Sequence, residues 1–509
     1  MRLRHTTPAL LALALLAPRA AAQADPLAGI DAYVERSMRD WEVPGLAMAV
    51  VRNDSVVLLR GYGVREMGRP EPVDSATMFA VASTTKAFTA ALVGMLVDEG
   101  KVKWDDPATR YLPGFQLHDP YATRELTVRD LLTHRSGLAR GDLLWYASPY
   151  DAEEVLRRVR FLRPTWSLRS SYGYQNIMYI AAGRVIARVE GKPWDAVLRE
   201  RLLLPLGMTG TNTRTALLKG HPNVATPHER LEGRVRTIRW LSFDNVEAAG
   251  AMNSSAAEMA RWVRFQLDSA RVGGRRLLKP ATFVESHTPQ TIIRRDSAER
   301  RMNPFTHYLS YGLGWFLEDY RGREVVRHGG NLDGMTALVA MMPEERLGLV
   351  ILSNLDSSGL PSALMRKVFD LHLGAPPKDW SADQLAASKR AREAAREREK
   401  KRERERVRGT RTSLPLERYA GVYADSLYGQ VRVRAERGKL RAEFGPAFAA
   451  DLEHWHYNTF RARWRDASLG SALFNFSLDA DARVAAVTLE NIGEFRRVPE
   501  PAAAAPPAR

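Results

Sequence analysis

Two pairs of apolar segments, one near each end of a long region of mixed pattern, constrain the fold of this chain most strongly. Residues 47–51 and 56–59 form the first pair, and residues 336–342 and 348–353 form the second. Each pair flanks four residues that are typical of a turn, which predicts two β-hairpins. Helical patterns fill the region between them. We therefore predict an α+β unit over residues 27–374, with one sheet closed by strands from both ends.

The sequence changes character after this unit. Residues 376–412 are rich in Ala, Glu, Arg and Lys without an apolar stripe, which predicts a charged, solvated helical linker. Within them, residues 389–411 hold 12 Lys and Arg against 5 Glu, a net charge of +7 out of +16 for all 509 residues. Residues 413–499 show short strand patterns between turn residues, which predicts a small all-β domain. The Ala- and Pro-rich residues 500–509 are expected to be disordered.

Residues 1–24 have the pattern of a secretory signal peptide. A basic start precedes a short apolar run and an Ala-rich cleavage region, so cleavage is expected after Ala22 or Ala24. The run is too short to span a bilayer, and we expect no membrane-spanning segment after its removal. We predict a periplasmic or secreted protein.

The chain contains no cysteine, which excludes disulfides, Cys-ligated metals and a lipid-modified cysteine after the signal. The positive net charge suggests nucleic acid at first sight, but export argues against such a partner. The basic residues 389–411 leave open a weak contact with an anionic surface.

Ser83 and Lys86 lie three residues apart where the pattern predicts that a helix begins. Positions i and i+3 share a helix face, so the lysine amine can approach the serine hydroxyl. That hydroxyl is a weak nucleophile at neutral pH and needs an adjacent base. Phe88, Leu92 and Leu96 follow with helical spacing, which predicts an amphipathic, core-packed helix. The motif alone is also compatible with an ordinary helix start that carries a solvated lysine.

Two further polar clusters precede apolar runs later in the chain. The first cluster is Ser-Tyr-Gly-Tyr-Gln-Asn at residues 171–176, which contains Tyr174 and Asn176. The second is His-Gly-Gly-Asn, which begins at His328. Each cluster alone is equally compatible with a surface aromatic residue or a plain turn. Together with a Ser–Lys pair, they contain the groups needed to protonate a leaving group and to stabilise an oxyanion.

The order S-x-x-K, Y-x-N and H-x-G resembles that of the penicillin-recognising serine hydrolases. It is most similar to their class C β-lactamase-like branch, which includes DD-peptidases, D-aminopeptidases and esterases. The resemblance covers residues 27–374 and implies a β-lactamase/DD-peptidase-like fold, an antiparallel sheet flanked by helices with a helical subdomain. The C-terminal β-domain resembles one of unknown function that is often attached to this family. Supporting stretches are Val43–Leu46, Leu126–Leu138, Tyr311–Trp315 and Ile351–Asn354.

The resemblance implies a catalytic role for three side chains. Ser83 is expected to be the acylated nucleophile, and Lys86 is expected to help remove its proton, since an amine changes its proton affinity on desolvation. Tyr174 is expected to carry the proton, as phenolate or neutral phenol, between Ser83 and the leaving group. The backbone N–H groups of Ser83 and Asn331 are the expected oxyanion hole.

The resemblance also implies five substrate-binding positions, one of which is Asn331. Asn176 is expected to hydrogen-bond the amide or acyl group of the substrate. His328 is expected to lie on a sheet strand, on the leaving-group side. Gly329 and Gly330 lack side chains, so substrate backbone can lie against that strand. Residues 139–150 and 285–307 are expected to form loops that select the substrate.

The β-lactamases of this branch have a lysine where this chain has His328. That lysine would be a permanent cation for a substrate carboxylate, whereas histidine is charged only in part near neutral pH. The H-x-G form favours a DD-peptidase, D-aminopeptidase or esterase without excluding a β-lactamase. We predict a serine hydrolase that acts through a Ser83 acyl-enzyme on D-amino-acid peptides, cell-wall fragments or small esters. No metal or cofactor is expected. The alternative is a non-catalytic or penicillin-sensing binding protein that retains the fold.

The remaining histidine motifs are interpreted as structural. His134 stands among leucines, which predicts a packed turn. His454 and His456 have the spacing of a strand, but no third metal ligand accompanies them, so we predict exposed strand residues.

Overall fold

The two apolar hairpins of the sequence lie side by side in one antiparallel sheet. The computed structural model describes residues 25–499, so the predicted signal peptide and C-terminal tail lie outside the described residues. Strands from the two ends of the unit pair directly, with Ala47 opposite Leu352. The eight strands are, in spatial order, Ser55–Gly63, Gly45–Arg52, Leu347–Ser353, Met335–Met342, Arg323–Leu332, Phe316–Tyr320, Leu309–Tyr311 and Thr291–Ile292.

Both faces of the sheet are covered by helices. Alternate residues of the strand Gly45–Arg52 point to opposite faces and almost all are buried, which explains its continuous apolar run. One face packs against the helices Ile30–Trp41 and Leu360–His372. The other packs against a helical layer that contains Thr85–Asp98 and Ala256–Leu267. This arrangement confirms the predicted α+β fold of β-lactamase and DD-peptidase type.

The described residues 25–499 contain nine further α-helices and three two-stranded ribbons. The further α-helices are Pro120–Glu125, Val128–Leu132, Ala152–Arg158, Asn176–Glu190, Trp194–Leu198, Glu247–Gly250, Pro280–Ser286, Ser297–Met302 and Trp380–Arg404. The ribbons pair Phe79–Ala80 with Asn253–Ser254, His228–Leu231 with Arg234–Thr237, and Arg271–Val272 with Arg275–Arg276.

The charged linker forms a 25-residue α-helix, Trp380–Arg404, which we call the linker helix. Its first residue is buried in the core beneath the sheet, where the Trp380 indole donates to Asp370 at 2.7 Å. At the far end, Glu403 accepts from Arg461 of the C-terminal domain at 2.9 Å. The linker helix is therefore anchored at both ends rather than solvated throughout.

The C-terminal domain is a closed antiparallel barrel of eight strands, which we call the barrel. This confirms the predicted all-β class. The short strand patterns of the sequence, at residues 429–433, 440–444, 459–463, 473–478 and 484–489, fall within five of the strands. The strands Gly421–Asp425 and Gly493–Arg497 were missed, and only the end of Phe448–His456 was indicated, by the spacing of its two histidines. The first and last strands pair with each other and so remove the open edges of the sheet. The eight strands are Gly421–Asp425, Gly429–Glu436, Lys439–Phe444, Phe448–His456, Thr459–Trp464, Ser471–Leu478, Val484–Leu489 and Gly493–Arg497.

Within residues 25–499, none of the helices combines the length and the apolar character that a membrane crossing requires.

Candidate active site

Ser83 lies in a single 3₁₀ turn, Ala82–Thr84, immediately before the helix Thr85–Asp98. The helix is buried on every side up to Leu96, so the prediction of an amphipathic helix was wrong. A buried helix at this point holds the turn against the core. Ala82 has a φ of 49°, a left-handed conformation that is unfavourable for a residue with a side chain. This bend leaves Ser83 half-exposed while both of its neighbours are buried.

Lys86 is fully buried and makes three hydrogen bonds with its amine. Nζ lies 3.1 Å from Ser83 Oγ, 2.7 Å from Asn176 Oδ1 and 2.8 Å from the Ala249 carbonyl oxygen. Burial lowers the pKa of Lys86 well below its usual range, and the Arg140 guanidinium lowers it further. A neutral amine beside a serine hydroxyl can accept the hydroxyl proton.

Tyr174 completes a compact group with this pair. Its ring centroid lies 4.9 Å from Lys86 Nζ. Burial raises the pKa of Tyr174 above its usual value, although the nearby Ser83 hydroxyl and the Arg140 charge oppose the rise. The phenol therefore keeps its proton at neutral pH and is a donor rather than a phenolate base.

His134 supports Tyr174 from behind. The two rings are 4.2 Å apart between centroids, and His134 Nδ1 accepts from the Gln175 backbone N–H at 3.0 Å. Burial lowers the pKa of His134 well below its usual value, which keeps the ring neutral. The residue thus fixes the backbone of the Tyr174 segment, in line with its interpretation as a packed structural turn.

His328 lies on the strand Arg323–Leu332, which forms the opposite wall of the site. The side chain is 1% exposed, and its Nε2 lies 2.9 Å from the Tyr311 hydroxyl. Burial lowers the pKa of His328 to about 3. The partial positive charge expected from the sequence is therefore absent at neutral pH.

The strand passes closest to the serine turn at Gly330. A Cβ atom on Gly330 would collide with the Val81 carbonyl oxygen and lie 3.1 Å from the Ser83 backbone nitrogen. Only glycine permits this close approach of the strand to the turn. A Cβ atom on Gly329 would meet only the Ala337 carbonyl oxygen, at 3.8 Å, and Asn331 is exposed. The close approach at Gly330 places the strand that carries Asn331 beside the Ser83 backbone nitrogen.

Two charged residues near the site, Arg140 and Asp142, were not predicted from the sequence. Both lie in residues 139–150, a segment that we call the strap. Asp142 Oδ1 accepts from Asn176 Nδ2 at 3.1 Å and from the Trp145 indole at 3.0 Å. Its other oxygen accepts from Arg140 Nε at 2.5 Å. Asp142 therefore fixes the amide that binds Lys86. The only sequence signal was the position of both residues in a loop expected to select substrate.

The strap also connects the two walls of the site with the barrel. The Tyr146 hydroxyl donates to Asp333 at 2.8 Å, two residues beyond Asn331. The Tyr150 hydroxyl donates to the backbone carbonyl of Tyr428 in the barrel at 3.3 Å. One face of the strap thus borders the site while the other carries the barrel.

Among residues 25–499, no group of three or more His, Cys, Asp and Glu side chains has an arrangement that could hold a metal ion. His454 and His456, the pair with strand spacing, both lie at the end of the strand Phe448–His456. His454 Nε2 lies 2.9 Å from the Tyr457 backbone carbonyl.

Comparison with known families decides the assignment. The family model described as beta-lactamase matches residues 30–371, which include every site residue described above. The chain belongs to the beta-lactamase family. A second model, for a domain of unknown function, matches residues 405–502 and so includes the barrel.

Three proteins that are similar to the chain over two thirds or more of its length have names that describe a hydrolase, a penicillin-binding protein homologue and an amidase. An unguisins hydrolase from Aspergillus violaceofuscus is 29% identical over 478 residues, covering 86% of this chain and 83% of that protein. The octameric penicillin-binding protein homologue from Pyrococcus abyssi has a TM-score of 0.63 at 19% identity, covering 92% of this chain and 100% of that chain. A D-amino acid amidase from Ochrobactrum anthropi SV3 has a TM-score of 0.55 at 23% identity, with 68% and 97% covered.

The two structural likenesses support the fold alone, whereas the family match places the chain among serine hydrolases. Residues 30–371 contain the S-x-x-K, Y-x-N and H-x-G motifs in the order described above.

Proposed function

We propose that this protein cleaves amide or ester bonds through an acyl-enzyme on Ser83. The observation that carries the proposal is the buried Lys86 amine, 3.1 Å from Ser83 Oγ, where burial and the Arg140 charge hold its pKa far below the usual range. An uncharged lysine next to a half-exposed serine is the arrangement that nucleophilic catalysis by serine requires. A structural lysine would instead keep its charge at the surface.

Acylation begins with attack of Ser83 Oγ on the substrate carbonyl carbon, while its proton passes to Lys86. The carbonyl electron pair moves onto oxygen, and the N–H groups of Ser83 and Asn331 stabilise the resulting oxyanion. Such preorganised donors lower the barrier by about 3 kcal/mol each. Tyr174 then protonates the leaving nitrogen or oxygen as its bond to carbon breaks, and recovers a proton from Lys86. Water then attacks the acyl carbon and gives a proton to the neutral Lys86. The bond from that carbon to Ser83 Oγ breaks, Oγ takes the proton back from Lys86, and the acid leaves.

The proposed substrates are peptides with D-residues, cell-wall fragments, and small esters or amides. The neutral His328 supports this range over β-lactams, because β-lactamases of this branch have a lysine at that position. The names of the similar proteins, an unguisins hydrolase and a D-amino acid amidase, agree with amide hydrolysis in this family.

The first test is hydrolysis of p-nitrophenyl butyrate by the protein from residue 25 onward. Ser83→Ala is expected to reduce kcat/KM by about 1,000-fold or more, because the nucleophile is lost. Ser170→Ala, which alters an exposed serine, serves as the control and is expected to match the unmodified protein. Undiminished hydrolysis by Ser83→Ala would refute the proposal. Acylation of Ser83 by penicillin without turnover, read by intact mass, would identify a penicillin sensor instead.

We also propose that the protein is exported, on the basis of the basic, apolar and Ala-rich pattern of residues 1–24. Expression of the whole chain in a bacterium, followed by intact mass of the periplasmic or secreted fraction, is expected to show a chain that begins at Gln23 or Asp25. A product in that fraction with an intact first segment would contradict the predicted cleavage.

A further inference from the structure

The buried part of the site contains little positive charge, although it is lined by basic residues. Burial lowers the pKa of Lys86 well below its usual range and the pKa of His328 to about 3. The neighbouring Arg327 is bound to Glu318 by two hydrogen bonds, at 2.8 and 2.9 Å. A substrate anion would therefore find no free permanent cation on the strand that carries His328.

Arg140 supplies such a cation at the mouth of the site. The centre of its guanidinium lies 5.1 Å from the centroid of the Tyr174 ring, and its side chain is 60% exposed. The ring of Tyr174 also lies close to His134 and Lys86, which are both buried. Arg140 thus lies beside the catalytic tyrosine and remains open to solvent.

The guanidinium keeps part of its hydrogen-bonding capacity. Nε donates to Asp142, whereas Nη1 and Nη2 have no hydrogen-bond partner among residues 25–499. The Asp142 carboxylate also accepts from Asn176 and Trp145, so its charge is shared among three donors. Two free N–H-bearing nitrogens at the end of a planar guanidinium match the two oxygens of a carboxylate.

The position of Arg140 indicates which part of the substrate it meets. Asp142 links it to Asn176, the residue expected to bind the acyl or amide group. Resting on the proposed function, we propose that Arg140 determines specificity by binding a carboxylate on the acyl part of the substrate. The preferred substrates are then acyl donors with a second, free carboxylate, such as acidic acyl or peptidyl groups.

A matched pair of esters tests this inference. The p-nitrophenyl hemiester of glutaric acid and p-nitrophenyl valerate share a leaving group and chain length but differ in the terminal carboxylate. The measured quantity is the ratio of their kcat/KM values, in which effects of Arg140 on Lys86 and Tyr174 cancel. The unmodified protein is expected to prefer the hemiester. Arg140→Gln is expected to lower the ratio by about 10-fold or more, mainly through KM.

Two further variants test the role of the guanidinium and provide a control. Arg140→Lys keeps the charge without the planar fork and is expected to restore part of the preference. Arg188→Gln removes an exposed arginine elsewhere in the same domain and is expected to leave the ratio unchanged. An unchanged ratio in Arg140→Gln, with both esters turned over, would overturn the inference.

A binding measurement that needs no turnover separates this inference from the proposed function. Glutarate binding is measured by calorimetry to Ser83→Ala and to the double variant Ser83→Ala, Arg140→Gln. Weaker binding to the double variant supports the carboxylate site even if no ester is hydrolysed. Equal binding to both variants contradicts it, whatever the outcome of the hydrolysis assay.

Discussion

Burial keeps three ionisable side chains of this site uncharged. Lys86, Tyr174 and His328 all lie away from water, and each has a pKa displaced towards its neutral form. A neutral amine and a neutral phenol form a base and an acid that can exchange one proton with Ser83. His328 serves this group as a neutral hydrogen-bonding partner of Tyr311 rather than as a cation.

The displaced pKa of His328 predicts a dependence of stability on pH. The pKa of the folded-state histidine is about 3 because of burial, and the ordinary value is about 6.5. Between these values only the unfolded chain binds the proton, so stability is fully present above pH 6.5 and is lost as the pH falls towards 3. One such group contributes a slope of up to about 1.4 kcal/mol per pH unit.

His328→Gln is expected to reduce this slope, because glutamine does not titrate and can still accept from Tyr311. Urea unfolding at pH 7, 6 and 5 measures the free energy of unfolding of both proteins. The two curves are expected to converge as the pH falls. Parallel curves would show that folding does not lower the pKa of His328, because the two states would then bind its proton equally.

The residues that the sequence could indicate are those in short motifs. Ser83 and Lys86 are linked by helical spacing, and a polar cluster marks Tyr174 and Asn176. The structure brings all four together. Asp142 could not be assigned in this way, because its bond to Asn176 spans 34 residues and depends on the path of a loop.

At the scale of elements, the strap turns a surface loop into part of the active site. It joins Asn176 on the helical side to Asp333 on the sheet side through Asp142 and Tyr146. The Lys86 amine in turn depends on Asn176 for its shortest hydrogen bond. The orientation of the proposed base therefore depends on a segment that contributes nothing to the sheet.

Asp142→Ala is expected to lower kcat for p-nitrophenyl butyrate by about 10- to 100-fold, the rate equivalent of a charge-assisted hydrogen bond. The loss follows because Asn176 becomes free to turn away from Lys86. Asp142→Asn keeps an oxygen that can accept from Asn176 and is expected to retain most of the activity. Equal rates for Asp142→Ala and the unmodified protein would show that the strap does not orient the base.

Strands with a clear hydrophobic pattern could be predicted from the sequence, whereas short strands without such a pattern could not. The hairpins of the large sheet are continuous apolar runs around turns, so their positions were predicted to within a few residues. The barrel strands Gly421–Asp425 and Gly493–Arg497 are only five residues long, and each contributes one buried residue, Tyr423 or Phe495. Their pairing, which closes the barrel, is a long-range contact that local pattern does not encode.

On the scale of the whole molecule, the linker helix ties the two domains together. Its charge pattern predicted a solvated helix, but its first residue packs beneath the sheet of the catalytic domain. A 25-residue helix spans about 37 Å, so it carries the chain across the surface to the barrel as a stiff connection. Because most residues of this helix are charged or polar, the few buried residues that anchor it did not form a recognisable apolar pattern.

Trp380→Ala is expected to lower the free energy of unfolding of the catalytic domain by about 3–5 kcal/mol, because it removes a fully buried indole. Lys400→Ala alters an exposed position in the same helix and is expected to change stability by no more than about 0.5 kcal/mol. Urea unfolding followed by tryptophan fluorescence and by circular dichroism measures both. Similar midpoints for the two variants would show that the linker helix does not stabilise the domain.

The pairing of the strand Gly45–Arg52 with Leu347–Ser353 determines when the domain can fold during synthesis. The first strand leaves the ribosome about 300 residues before its central partner, so one of its two edges stays open until the domain is nearly complete. Contacts of such long sequence separation form slowly. The nascent chain therefore exposes an apolar strand for most of its synthesis, and this delay gives chaperones time to act on an unfolded polypeptide.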